Sequence, residues 1–464
     1  MAKRSIWQST VILTVVFSMF CVLLFVGNAQ AKKPESSEIK DKLGNKPERV
    51  EWFQDLALGM FIHWSVDSQL GSVISHSMVG ASDDYLDRFV NELPKTFHPK
   101  KFDPDKWARL AKLVGMKYVI FTAKHHSGFC MFETKTTDFN IMKTPYGRDI
   151  TRQIIDAFGK QGINVGFYFS PDDFWLLYKQ GKDVSRRRSE VQIWNNPELL
   201  QHDLAQLREL MSNYGPVDFM FIDATGKGID RLQPFKQLCW KMQPNIVITR
   251  GEMTTPEQNL PGRPIPGPWE ANFTLGTQWH YKPTNETYKS GGRLIRMLIE
   301  TRAKGGNLLL NIGPQPDGEI PFEQERRLRE LALWLFINQE AIYDVRPWHI
   351  TNEAYIWFTR ARDAETLYAF VMPSDWPYQS NNWPRGMKRS FTLKSVRATD
   401  KTKVEILGQS GRVLEYQPDV IPKATWKQDK DGLHITAMRA QRIYNDSTWQ
   451  NPVVIKITNV KPVK

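Results

Sequence analysis

The 464-residue chain reads as an α/β protein, a (β/α)8-like barrel followed by a C-terminal β-sandwich. Three observations predict this. From about residue 50 to 345, short apolar runs alternate with longer amphipathic ones, as in a parallel sheet with crossover helices. The alternation continues long enough to suit a closed barrel better than an open sheet. After Val345–Trp348 the runs become short, β-branched and separated by turns, which is sandwich texture.

Residues 1–31 read as a secretory signal. Lys3 and Arg4 precede the apolar run Val11–Val26, and Ala29-Gln30-Ala31 fits a small-x-small cleavage site. An uncleaved anchor is the alternative, but the run is short for a span, so no stable membrane insertion is expected after cleavage. Residues 32–48 are rich in Lys, Glu and Ser without hydrophobic period and read as a flexible leader.

The barrel is assigned to residues 49–348. "LGMFIHW" (58–64), "KYVIFTAKH" (117–125), "NVGFYFS" (164–170), "VDFMFID" (217–223), "NIVITR" (245–250) and "NLLLNIGP" (307–314) are its strand candidates. Between them lie helical patterns. "PDKWARLAKLVG" starts at Asp103 or Pro104 and stops at Gly115, and "RDITRQIIDAFGKQG" follows. "NPELLQHDLAQLRELMSNYG", "IDRLQPFKQLCWKMQP", "SGGRLIRMLIETRAKGG" and "PFEQERRLRELALWLFINQEAIY" complete the set. The Pro- and Gly-rich stretch 251–281 reads as a loop. Residues 349–464 form the sandwich, with strands such as "TLYAFVMP", "KVEILGQ", "GLHITAM" and "PVVIKITNV".

Composition narrows the class. Sixteen Trp point either to sugar contact through flat rings or to a large aromatic core. Two cysteines, Cys130 and Cys239, remain outside the signal, too few for a disulfide framework, and Cys130 reads as a small buried hydrophobe. The formal charge of +12 is diffuse apart from Arg186–Arg188, a pattern of solvated surface that also favours an anionic polymer such as a sulfated glycan. No nucleic-acid motif is present, and no nucleic-acid partner is expected.

The chemistry gathers at strand tips. His63, His125, His126, Tyr168, Asp223, Arg250 and Asn311 all end apolar runs, and in a barrel such tips converge on one mouth. Asp223 is the sharpest case. Burial at a strand end disfavours its charge unless the mouth's histidines and Arg250 hold it ionised, as a nucleophile requires. A helix cap or turn role for Asp223 is the plain alternative. A second carboxyl group comes from Glu257 in "TPEQ" or Glu270 in "GPWEANF". A loop acid beside Trp269 suits a proton donor, whereas a lone loop Glu is ordinarily solvated. The histidines could instead hold a metal with Asp172 or Asp173. Against that, His125 and His126 should point to opposite faces of a strand, and no HExxH or paired-Cys spacing exists. No metal and no cofactor are therefore expected.

The strings "GMFIHWSV", "AKHHSGFCMFETKTTDFN", "GFYFSPDDF", "VDFMFID", "PWEANFTLGTQWHY" and "GGNLLLNIGPQPDGEIP" together resemble the α-L-fucosidases of glycoside hydrolase family 29, over about residues 45–350. The resemblance implies a barrel followed by a β-sandwich and a metal-free, retaining exo-glycosidase acting on fucosylated glycans. It makes Asp223 the nucleophile, with Glu270 as first choice and Glu257 as second choice for the acid/base. His63, His125, His126, Tyr168 and Arg250 would line the fucose pocket, with Trp64 and Trp279 as aromatic walls. There are departures. Ser65 and Ser127 stand where the family has Gly and Asp, and Ala224 where many members have Gly. "ISHSMVG" stands in place of a Glu-Trp pair, with His76 as the substitute. They leave the chemistry in place and leave open the sugar's identity, a related α-L-galactosidase included; a non-catalytic glycan-binding protein on an inactive barrel is the separate alternative. The signal implies a secreted or periplasmic location.

Overall fold

The computed structural model describes residues 43–223, 229–372, 383–441 and 451–463. The signal, residues 32–42 of the leader and Ala224 lie outside them. Among the described residues no helix is long and apolar enough to cross a membrane.

The N-terminal region carries, among the described residues, seven parallel strands: Leu58–Ile62 (β1), Tyr118–Lys124 (β2), Asn164–Phe169 (β3), Phe219–Ile222 (β4), Val247–Ile248 (β5), Glu270–Thr274 (β6) and Asn307–Ile312 (β7). Its helices are Pro47–Leu56 (α1), Asp83–Asn91 (α2), Pro104–Val114 (α3), Ile150–Lys160 (α4), Phe174–Lys179 (α5), Pro197–Asn213 (α6), Gln233–Met242 (α7), Gly291–Ala303 (α8) and Phe322–Asn338 (α9). The strands form one parallel sheet in the order β5-β4-β3-β2-β1-β7-β6. Helix α3 shows why the sequence stops and starts where it does. The Asp103 carboxylate accepts from the Lys106 amide at 2.8 Å, and Gly115 ends the helix at φ 91°.

Strand parity decides what each side chain meets. Phe61, Tyr118, Ile120, Tyr168, Phe219, Phe221, Val247 and Leu309 share one cluster on the concave face. Their strand neighbours Met60, Ile62, Phe167, Met220, Ile222, Leu308 and Leu310 belong to the large core beneath the helices. The sheet curls on itself. Tyr118 of β2 donates to Glu270 of β6 at 2.6 Å, although β1 and β7 stand between those strands in the sheet. Gly59 and Gly166 make this curl possible, since a Cβ would lie 2.4 Å from the Tyr118 ring at the first and 2.5 Å from Phe219 at the second.

Three sequence expectations change here. The leader does not run to residue 48. Helix α1 begins at Pro47, and the Asn45 amide both donates to the Ile248 carbonyl and accepts from the Ile248 amide, at 2.8 Å each. Glu270 is not on a loop. "EANFT" is strand β6, fully buried and paired with β7, and its Pro/Gly-rich flanks concealed it. Trp64 is not an aromatic wall. His63 continues the inward series of Phe61, so Trp64 must face outward, where it is 0% exposed and packs on Phe97, Phe102 and Trp107. Trp64→Ala is therefore expected to cost about 3–5 kcal/mol of stability in denaturant unfolding.

The C-terminal region begins at residue 345 rather than 349. Its strands are Val345–Glu353 (β8), Ile356–Ala361 (β9), Leu367–Val371 (β10), Lys388–Leu393 (β11), Val396–Ile406 (β12), Thr425–Asp429 (β13), Gly432–Met438 (β14) and Val453–Pro462 (β15). They form a five-stranded antiparallel sheet, β12-β15-β10-β9-β8, and a three-stranded one, β11-β14-β13. The five-stranded sheet serves two cores by parity. Tyr368, Phe370 and Val454 join the large core beneath the helices of the parallel sheet, while Ala369, Val371, Val453 and Ile455 join Phe391, Leu433 and Ile435 of the smaller sheet.

Candidate active site

Asp223 is the third inward position of its strand, after Phe219 and Phe221, one residue past the end of β4. Each of its oxygens receives one strong donor. The Tyr168 hydroxyl donates to Oδ2 at 2.8 Å, and Arg250 Nη1 donates to Oδ1 at 2.7 Å. Burial alone would push the carboxyl up. The Arg250 charge, His126 and these two bonds outweigh it and hold the group well below the usual carboxylate range. Burial also keeps the Tyr168 phenol protonated, so it remains a donor.

Arg250 reaches further. Its Nη2 donates to Glu257 Oε2 at 2.9 Å, so one guanidinium joins Asp223 to Glu257. Glu257 lies on a short segment that pairs in parallel with β6, opposite Asn272. Its side chain is 44% exposed. Asp223, Arg250 and Glu257 line one cavity of about 200 Å³ with His63, His125, Tyr168 and Trp279.

The two cavity histidines are polarised in opposite senses. Asn311 Nδ2 donates to the Trp279 carbonyl at 2.5 Å, which turns Asn311 Oδ1 toward His63 Nδ1 at 2.7 Å. His63 thus carries its proton on Nδ1 and keeps Nε2 as an acceptor. Burial lowers it to about 3, so it is neutral near pH 7. His125 is the reverse. Its Nδ1 accepts from the His126 amide at 2.9 Å, so its proton sits on Nε2 as a donor. Burial likewise lowers it well below the usual value. One acceptor and one donor, both uncharged, suit the hydroxyls of a sugar.

His125 and His126 do not point to opposite faces as strand alternation predicts. The β2–β3 register slips between Thr122 and Lys124, and this bulge resets the parity. Lys124 turns outward into a buried ion cluster with Asp173 and Asp203. His125 then turns inward and stacks on Tyr168, 5.0 Å between ring centroids. The chain leaves the strand at this point, so the His126 ring lies only 4.3 Å from that of His125, with Nε2 3.7 Å from Asp223 Oδ2. Among the described residues no group of three His, Cys, Asp or Glu side chains has an arrangement that could hold a metal.

Glu270 sits elsewhere. It is the first residue of β6, two positions before the cavity-lining Asn272, and its carboxyl group is 0% exposed against Tyr118. Burial raises it to about 7, with the Tyr118 bond opposing the shift. Because its folded pKa exceeds the unfolded one, the folded chain holds the extra proton between about pH 4.5 and 7. Stability should be greatest below that window and fall through it as pH rises, by about 3 kcal/mol in all. Glu270→Gln is expected to flatten this decline in denaturant melts at pH 5 and pH 7.5.

The family model for α-L-fucosidase matches residues 24–340. The chain belongs to the α-L-fucosidase family. It is a glycoside hydrolase of family 29. Rat plasma α-L-fucosidase is 27% identical over 406 residues, covering 79% of this chain and 84% of the relative. The human plasma enzyme is 28% identical over 365 residues, covering 70% and 76%. Isoenzyme 1 of Paenibacillus thiaminolyticus shares the fold at a TM-score of 0.70 and 26% identity, over 90% of this chain and 99% of that one. A Bacteroides thetaiotaomicron family 29 fucosidase, solved as a trapped covalent intermediate, shares the fold at 0.67 and 22% identity, over 91% and 98%.

Within this fucosidase scaffold, residues outside the sequence prediction also line the cavity. Ser75 does so in place of the neighbouring His76, whose imidazole is exposed near Arg186 and Arg187. Arg186 lines it too, with Nε donating to Asp172 Oδ2 at 3.1 Å. The Arg186–Arg188 run was visible in the sequence, but nothing in it distinguished one arginine at the mouth from the surface charge around it.

Proposed function

We propose that the chain is an exported, retaining exo-α-L-fucosidase with Asp223 as nucleophile and Glu257 as acid/base. The observation that carries the assignment is the Asp223–Arg250–Glu257 bridge across a single small cavity. An ionised Asp223 attacks the anomeric carbon and forms a C1–O ester. The glycosidic C–O bond breaks as its oxygen takes the proton of Glu257. Glu257 then removes a proton from water, whose oxygen attacks C1 and releases Asp223 as carboxylate. His63 and His125 hold hydroxyls of the sugar, and Phe61, Phe221 and Trp279 present apolar surface to its less polar face. A cavity of about 200 Å³ has room for little more than one sugar ring, which favours removal of a terminal residue. The reading of residues 1–31 as a signal supports export.

The architecture completes in the same way. The parallel pairing of Thr254 with Trp269 and of Glu257 with Asn272 of β6 supports closure of the seven strands into a barrel by residues 254–258. The core shared by the two antiparallel sheets supports a C-terminal sandwich. Proton NMR of aryl α-L-fucoside hydrolysis tests the function. The α-anomer of fucose should appear first, and the rate should be unchanged in excess EDTA. First appearance of the β-anomer would refute the double displacement.

A further inference from the structure

A second cavity, of about 580 Å³, lies in the C-terminal region, away from the residues of the active site. That volume is in the range of ligand-binding clefts. It runs between two sheet edges, because β12 is the outermost strand of the five-stranded sheet and β13 that of the three-stranded one. Trp426 of β13 forms one side, half-buried against the sandwich core, with Ile421 exposed beside it. Lys403, Arg412 and Lys423 line the groove from three separate segments, and among the described residues none of their side chains forms an ion pair. The one acid in the lining, Glu405, stands 3.8 Å from Lys456.

We propose that this groove binds a sulfated polysaccharide. A flat indole takes the C–H face of a pyranose ring. Cations spaced along the groove take charges carried outside the ring. Two of the three are lysines, point-charge donors that suit the three terminal oxygens of a sulfate ester and lack the planar fork that favours carboxylates. Exposed edge strands also carry lysines simply to block pairing with other chains. That role requires neither an aromatic platform nor a cavity, and both are present. The site is distinct from the catalytic pocket, so the proposal stands apart from the fucosidase assignment.

Affinity electrophoresis of the full chain in gels containing dextran sulfate, dextran or polygalacturonate tests it. Dextran sulfate should retard the protein, dextran should not, and polygalacturonate should do so weakly. The triple variant Lys403→Ala, Arg412→Ala, Lys423→Ala should bind dextran sulfate at least tenfold more weakly. A control triple on the exposed cations Lys100, Lys112 and Lys160 should lose less than threefold. Trp426→Ala should weaken binding as well, with circular dichroism confirming the fold. Aryl-fucoside turnover should be the same for all of these variants. Equal losses in both triples would reduce the effect to diffuse charge. Polygalacturonate binding as strong as that of dextran sulfate would overturn the choice of sulfate. A groove triple that keeps its binding but self-associates would assign the lysines to strand-edge protection.

Discussion

Asp223→Ala is expected to lower kcat on an aryl α-L-fucoside by roughly 10⁴- to 10⁶-fold, the scale of losing a covalent nucleophile. The cavity should survive, because Tyr168 also stacks on His125 and Arg250 also donates to the Thr255 hydroxyl. Added azide should therefore enter the vacated space, attack C1 directly and yield the β-fucosyl azide, restoring part of the rate. The pH profile carries the same signature. Arg250 and Tyr168 keep Asp223 ionised well below the usual carboxylate range, so the loss of activity on acidification should not begin at an ordinary aspartate pKa. A variant that retains more than a tenth of wild-type turnover would remove Asp223 from the mechanism.

Glu257→Gln is expected to cost roughly 10²- to 10⁴-fold on natural glycosides, where the departing alcohol needs a proton. The loss should shrink for the bond-breaking step of a dinitrophenyl fucoside, whose leaving group departs as an anion. The covalent intermediate should then accumulate, because water has lost its base. Glu270→Gln is the counter-test. It sits against Tyr118 beneath the cavity, and its removal should change kcat by less than tenfold while altering the stability profile described above. The opposite pattern, with Glu270→Gln inactive and Glu257→Gln active, would return the acid/base role to β6.

Much of this is legible in the sequence. The apolar runs ending in His63, Tyr168, Asp223 and Arg250 mark strand tips, and those four meet in one cavity. Gly115 and Asp103 mark helix ends where the helix does end. The errors share a cause. Trp64 follows a strand-tip histidine and looks like part of the site, yet parity sends it to the opposite face. Glu270 looks like a loop acid because prolines and glycines flank it, yet its strand is paired from the neighbouring β7. The His125–His126 pair breaks a rule that is sound for a regular strand, because one bulge shifts the register.

The sequence by itself determined the parallel sheet, the polar residues at its tips, the family and the place of Asp223 at the end of β4. Those properties are local, set by the two-residue repeat of a strand and the residue that ends it. Only the tertiary structure decided which glutamate shares Arg250 with Asp223, which nitrogen of each histidine bears the proton, and that an arginine from the 186–188 run enters the pocket. Each of these depends on groups far apart in the chain brought within hydrogen-bond reach by the curling of the sheet, and no spacing in the sequence encodes that distance.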